Sequence, residues 1–357
     1  MGDIYYHDYL QLDRILSSQT LESKKAGDLQ HDEMLFIIVH QAYELWFKEI
    51  LWELEDVIDA FGSDELDEAD MAKVNGRLRR VTEIQKLLLL QIEVLETMTS
   101  LDFLDFRDHL VPASGFQSMQ FRLIENRLGV RAEDRVNFGG ARYTQRLHGK
   151  ERETVIGSED EPSIHDLVAG WLERTPFLDE FDFWTVYQDA IGNMLEADRE
   201  IVRSNPELDE EEREAQLRAF DQTFRQYEAV FDADKHADLV AAGGRRLSHR
   251  AFQAALFVSL YRDQTALHQP YEMLELLMDI DEGFTTWRYR HALMTQRMIG
   301  RRVGTGGSAG AAYLTRNAEK SRAFPDLFAL PTFLIPRAQL PPLPQAISEA
   351  MRFRFES

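Results

Sequence analysis

The chain sets 62 acidic against 40 basic side chains over 357 residues, a net charge of −22, and contains no cysteine. That balance leaves no basic face for a nucleic-acid backbone, and the missing cysteine excludes disulfides, thiolate catalysis and cysteine-based metal sites. No apolar run reaches the length that spans a bilayer, and the N-terminus MGDIYYHDYL opens polar and acidic rather than as a basic-then-apolar leader. A cytoplasmic protein without nucleic-acid or membrane partners is expected.

In chain order, a polar arm over about 1–30 precedes a strongly patterned segment. From Asp32 to about Ile58 the sequence is apolar almost all round, then amphipathic through Leu45, Trp46, Ile50, Leu54 and Val57. This is the pattern of a helix whose first turns are buried on every side. A second long helix is expected from about Glu68 to Met98. Leu101 to Arg127 reads as two helices broken at VPASG, where Pro112 and Gly115 interrupt the pattern. Gly129 to Glu161 is polar and reads as irregular. Further helices are expected at 163–174, 179–202, 208–234, 248–264 and 270–299. Six of the eleven prolines fall between Pro325 and Pro344, which predicts an extended or short-helical strap on the surface. Period-two alternation is almost absent, so the fold class is all-α. One domain over 1–357 accounts for the pattern, with the arm at about 1–30, a helical insertion at about 130–240 and the proline-rich strap at about 322–357.

Ten histidines are the first place to look for chemistry. Eight of them (His7, His31, His109, His148, His165, His236, His249, His268) sit in polar or weakly patterned surroundings. His40 and His291 lie inside apolar or aromatic helices, where a histidine needs a partner or a ligand. The ordinary reading of either alone is a core residue bonded to a backbone carbonyl. No Glu-x-x-His or His-Glu-x-x-His pattern exists, so di-iron and zinc-protease sites fail. Isolated buried histidines in a helical protein leave haem as the natural candidate, with one histidine on iron and another lining the distal side. VGTGGSAG (Val303 to Gly310) follows a helix rather than a strand, so it is no dinucleotide fingerprint. It reads as a linker or as a close-approach lid carrying Thr305. Arg107, four residues after Phe103, makes either a surface ion pair or a clamp for a substrate carboxylate.

Seven collinear stretches closely resemble the tryptophan 2,3-dioxygenase family over nearly the whole chain. They are YHDYLQLDRIL, HDEMLFIIVHQAYELWFKEILWELE, LETMTSLDFLDFRDHLVPASGFQSMQFRLIENRLG, WLERTP, RRLSHRA, LMDIDEGFTTWRYRHALMTQRMIGRRVGTGGSAGAAYL and FLIPR. The resemblance implies a helical-bundle haem domain of the tryptophan/indoleamine dioxygenase type, with one haem b per subunit. It implies His291 as the proximal iron ligand and His40 as the distal histidine that hydrogen-bonds the indole N–H. Phe36 and Phe103 match walls of the indole pocket, and Arg107 matches the clamp on the substrate carboxylate. Thr305 matches the contact to the amino-acid end, and Ser114 and Gly115 match positions beside haem and substrate. Tyr6 and Tyr9 match residues that reach a neighbouring subunit's site, which implies a homotetramer with exchanged N-terminal arms. Trp171, Arg174 and Pro176 match part of a remote tryptophan site, although DELDEAD stands where some members supply a basic residue. The implied reaction uses O2 to cleave the indole C2–C3 bond of L-tryptophan, giving N-formyl-L-kynurenine. Two other readings stay open at this point: a relative mono-oxygenating another indole, and a haem sensor without turnover.

Overall fold

Helices carry the fold, with no strand among the described residues, and short polar side chains fix where many of them begin. The structure, a computed structural model, describes residues 3–63, 66–135, 142–178, 183–300, 302 and 321–352. The chain groups into two compact units, the first comprising Met1–Glu55, Arg80–Glu161 and Glu282–Arg322, the second Asp56–Arg79, Pro162–Asp281 and Ala323–Ser357.

The first unit opens with three short helical turns, α1 (Tyr6–Tyr9), α2 (Leu12–Leu16) and α3 (Glu22–Lys25). It then takes α4 (Glu33–Phe61) as far as Glu55 and α5 (Glu68–Leu95) from Arg80. The fully buried Glu33 carboxylate anchors the arm by accepting the backbone N–H groups of Glu22 at 2.7 Å and Ser23 at 3.0 Å. Next, α6 (Ser100–Arg107) starts in a capping box in which Thr99 and Asp102 satisfy each other's backbone N–H. The break at VPASG is real: a 3-10 turn at Gly115–Gln117, capped by Ser114, leads into α7 (Met119–Leu128). Gly129, at φ 98°, closes α7 in the left-handed region that suits glycine. The stretch read as irregular instead holds α8 (Gly149–Gly157), and Asn126 reaches it by donating to Val155 O at 3.0 Å.

In the second unit, α9 (Ile164–Glu173), α10 (Phe183–Ser204), α11 (Glu210–Phe231), α12 (Ala233–Ala241) and α13 (His249–Leu260) precede α14 (Thr265–Ile299), which this unit holds as far as Asp281. The single helix expected at 208–234 is two. Asp232 adopts an extended conformation and its carboxylate accepts Asp234 N–H and Lys235 N–H, starting a new helix. Helix α14 begins five residues before Pro270, because a proline near a helix start forfeits a single bond while Leu267 is buried.

The C-terminal strap divides: its first part, to Ile335, packs largely into this unit, whereas most of 336–352 is exposed as a surface strap would be. Its 3-10 turn Leu327–Phe333 buries Leu327, Leu330 and Phe333, Tyr187 Oη donates to Phe333 O, and Tyr261 Oη donates to Pro341 O at 2.6 Å. A last short helix, α15 (Gln345–Ala350), follows. The Asp326 carboxylate fastens the strap to the backbone N–H groups of Arg246 (2.7 Å) and Leu247 (2.6 Å).

Two local results bear on the site. The first turns of α4 are not buried all round: Met34, Ile38, Leu45 and Trp52 are exposed on the single chain, the last three at seven-residue spacing along one face. Gly283 on α14 faces α5 so closely that an added Cβ would stand 2.5 Å from Oε1 of the buried Gln85.

Three histidines with weak sequence patterns prove to be structural. His165 is buried, His236 is only 2 % exposed and donates from Nε2 to Leu247 O at 2.9 Å, and His249 donates to Val230 O at 2.8 Å. Burial lowers the His236 pKa below 6.5, with the Leu247 bond pulling the other way. The unfolded chain therefore takes up this proton first, and the stability attached to neutral His236 is lost as pH falls below 6.5. Urea denaturation between pH 8 and 5 should show a smaller acid-side loss in His236→Gln than in the native chain. Equal losses would remove His236 as a cause.

Candidate active site

The chemistry gathers in the first unit, around a cavity of about 260 Å³. Helix α4 contributes Phe36, His40, Tyr43, Glu44 and Phe47, whose spacing of four, three, one and three residues keeps them on one face. Helix α6 adds Phe103 and Arg107, one turn apart, and the capped 3-10 turn adds Ser114 and Gly115. Helix α14 supplies Trp287, Arg288, His291 and Met294. Seven of the residues singled out from sequence thus line one cavity: Phe36, His40, Phe103, Arg107, Ser114, Gly115 and His291.

Phe36 organises the aromatic wall. Its ring centroid lies 4.1 Å from His40, 5.7 Å from Phe103 and 5.6 Å from Phe106. Phe106 is fully buried and backs both phenylalanines, with its ring edge-on to Phe103 at 5.4 Å.

His40 Nδ1 lies 2.7 Å from the carbonyl oxygen of Phe36, one turn earlier. A carbonyl only accepts, so Nδ1 carries the hydrogen and Nε2 keeps its lone pair. Burial pushes the His40 pKa below 6.5, with the Phe36 bond and the Glu44 carboxylate pulling it back up. The ring is therefore a neutral acceptor at physiological pH.

His291 is also neutral. Burial, reinforced by His40, pushes its pKa down to about 4. Trp287, one turn earlier on α14, stacks on it with a 12° interplanar angle and centroids 5.4 Å apart. Both imidazoles are half-buried because they face the cavity.

Charge lies at the margins of this apolar space. Arg107 is largely buried, with Nη1 3.3 Å from the exposed Asp108 carboxylate, so the surface pair and the cavity-lining position coexist. Arg122 and Arg288 also line the cavity and both bind the buried Glu125 carboxylate, at 2.8 and 2.9 Å. Burial alone would raise the Glu125 pKa, but the pull of Arg122, Arg135 and Arg288 outweighs it and holds it at about 2. The Gln120 amide donates to both the Glu44 carboxylate (2.8 Å) and its backbone carbonyl (2.7 Å). Among the described residues, no group of three His, Asp or Glu side chains could hold a bare metal ion.

The other sequence candidates fall elsewhere. Tyr6 and Tyr9 are 74 % and 73 % exposed and do not line the cavity of their own chain. Thr305 and its glycine-rich loop lie outside the described residues. In the second unit, Trp171 packs edge-on against Phe61 at 6.3 Å, while Arg174 and Pro176 are exposed. Sequence reasoning missed Tyr43, Glu44, Trp287, Arg288 and Arg122. Helical spacing from His40 and His291 points to the first four; for Arg122 no such signal exists.

An all-helical fold with a cavity holding two neutral histidines, an aromatic wall and buried guanidiniums defines a class of binding or catalytic pocket. Comparison narrows it. The sequence model of the family described as tryptophan 2,3-dioxygenase matches residues 1–334. A Bdellovibrio bacteriovorus protein named tryptophan 2,3-dioxygenase is 47 % identical over 354 residues, covering 99 % of each chain. Danio rerio tryptophan 2,3-dioxygenase B is 46 % identical over 96 % of this chain and 84 % of its own, and the Anopheles gambiae tryptophan 2,3-dioxygenase 45 % over 99 % and 91 %. The chain belongs to the tryptophan 2,3-dioxygenase family.

The tautomer of His40 can be checked directly. Imidazole 15N–1H correlation spectra at neutral pH should show a protonated Nδ1 and an unprotonated Nε2, titrating below 6.5. An Nε2–H form would contradict the Phe36 bond.

Proposed function

We propose that the chain is a haem-dependent dioxygenase that cleaves the indole C2–C3 bond of L-tryptophan with O2, giving N-formyl-L-kynurenine, the first step of tryptophan degradation by the kynurenine route. The observation that carries the reading is the pairing of His40 and His291 on one aromatic cavity in a chain of this family.

The residues fit haem b. His291 offers a neutral imidazole with no hydrogen bond to its ring nitrogens among the described residues, the donor type that holds haem iron. The aromatic lining suits a flat apolar ring, and Arg122 and Arg288 supply cations for its carboxylates. When bound, haem supplies the iron that activates dioxygen.

The remaining work is orientation. The lone pair on His40 Nε2 accepts the indole N–H, Phe36 and Phe103 wall the indole ring, and Arg107 clamps the substrate carboxylate. Ser114 and Gly115 border substrate and cofactor, and Thr305 contacts the amino-acid end. His40 orients rather than acting as an obligatory base, because no C–H proton must leave the ring. An indole without a carboxylate has nothing for Arg107 to hold, which favours the amino acid over other indoles.

A homotetramer with exchanged arms, in which Tyr6 and Tyr9 complete the neighbouring site, is supported by the exposure of both tyrosines and of the Ile38, Leu45 and Trp52 face. The absence of cysteine supports a cytoplasmic location. No helix among the described residues is long and apolar enough to cross a membrane. Trp171, Arg174 and Pro176 are retained as a remote tryptophan-binding surface.

Purified with haem, reduced anaerobically and then given L-tryptophan and air, the chain should release N-formyl-L-kynurenine, read by absorbance and mass. Haem without product would sink the reading. Arg107→Ala should cost about 2–5 kcal/mol in kcat/KM, by analogy with truncated buried ion pairs. His291→Ala should lose haem, whereas His40→Ala should keep it with part of its activity; complete loss would make His40 a required base. Deleting the arm through Tyr9 should depress activity, and full activity would contradict a shared site.

A further inference from the structure

Among the described residues, the cluster on the cavity wall carries more positive charge than its own carboxylate answers. Glu125, 2 % exposed, accepts Arg122 Nη1 at 2.8 Å on one carboxylate oxygen and Arg288 Nη2 at 2.9 Å on the other, and Arg135 Nη1 stands 3.9 Å away. Three buried guanidiniums therefore face one carboxylate, leaving two positive charges uncompensated within the cluster. Aromatic rings cover them: Arg135 lies 4.1 Å over Tyr143, and Arg122 and Arg288 lie 5.6 and 5.7 Å over Phe121.

The donors are only partly used. The Nε atoms of all three arginines, and Nη1 of Arg135, are buried without a hydrogen-bond partner among the described residues. Arg288 spends Nη1 on Ser321 O at 3.1 Å, and Arg135 spends Nη2 on Asn126 and on Val130 O at 2.8 Å. Arg122 and Arg288 line the cavity, whereas Arg135 does not. The carboxylate on that lining, Glu44, is held by Gln120. A buried cation excess is costly unless a ligand anion answers it.

We propose that Arg135 is a positioning residue: it neutralises Glu125 from outside the lining, so that Arg122 and Arg288, spaced by Glu125, form a two-cation receptor for a planar ligand bearing two carboxylates. The inference rests on the haem reading and adds a specific claim, that the ligand's acids contribute to its capture whether or not it contains iron. Without Arg135, the Glu125 charge is shared between the two lining arginines alone, and one uncompensated charge is left where there were two.

The test uses the full chain freed of cofactor, titrated with metal-free protoporphyrin IX and with its dimethyl ester, read by porphyrin fluorescence. The native chain should bind the free acid at least about tenfold more tightly than the ester, a low figure for two charge-assisted hydrogen bonds. Arg135→Met should cut that preference to about threefold or less, and Arg135→Lys should keep it. Arg135→Gln, which can still donate to Asn126, replaces Arg135→Met if the latter lacks the native helical circular-dichroism spectrum. Equal binding of acid and ester by the native chain overturns the receptor without any variant. Undiminished preference in a folded neutral variant overturns the role of Arg135. Failure of the native chain to bind either porphyrin or haem sinks the cofactor reading instead.

Discussion

The Glu125 carboxylate ties α7 to α14, two of the helices that line the cavity. It joins Arg122 on its own helix, Arg135 beyond the end of that helix, and Arg288 on α14, all within a buried region. Desolvating four charged groups is expensive, and their attraction offsets that cost only when each partner is held in place. Capping by Ser118 and termination at Gly129 fix α7, aromatic rings flank the guanidiniums, and Arg288 reaches Ser321 as well. Because Arg288 and His291 are three residues apart, they share a helix face. The ion cluster and the proposed iron ligand are thus set by one helix orientation.

His40 illustrates how one residue can satisfy two descriptions. As a core histidine it bonds a backbone carbonyl; as a site residue it lines a cavity. The first makes the second useful, because by accepting Nδ1–H the Phe36 carbonyl leaves Nε2 with its lone pair free to accept. The neutral state follows from burial, so no acidic residue in direct contact is needed to hold the ring ready.

The long helices, the break at VPASG and the absence of sheet among the described residues were legible because periodicity and short polar caps report local geometry. Phe36, His40, Phe103, Arg107 and His291 came from motif resemblance added to that pattern, and the cavity does bring them together. What stayed hidden depends on contacts distant in sequence. Arg135 and Arg288 are 153 positions apart, and nothing near either one announces a shared carboxylate. The same limit explains why His236 looked ordinary and why the first part of the strap seemed superficial: His236 packs against Leu247 and Phe252, and Tyr187 and Tyr261 donate to the strap's backbone at Phe333 and Pro341. Asp232, by contrast, was a readable cap inside an otherwise helical run.

Gly283 places a limit on how this protein can be altered. Any side chain there would meet the buried Gln85 amide, so α14 could not keep its present approach to α5 without displacing that group. His291 lies eight residues further along, about two turns or 12 Å of helix. A small change of helix azimuth at Gly283 would be carried along a stiff rod and would re-aim the imidazole. The hydrogen at position 283 thus leaves room for the Gln85 amide, and a larger residue there has two outlets, a moved glutamine or a turned helix, of which only the second reaches the His291 ring.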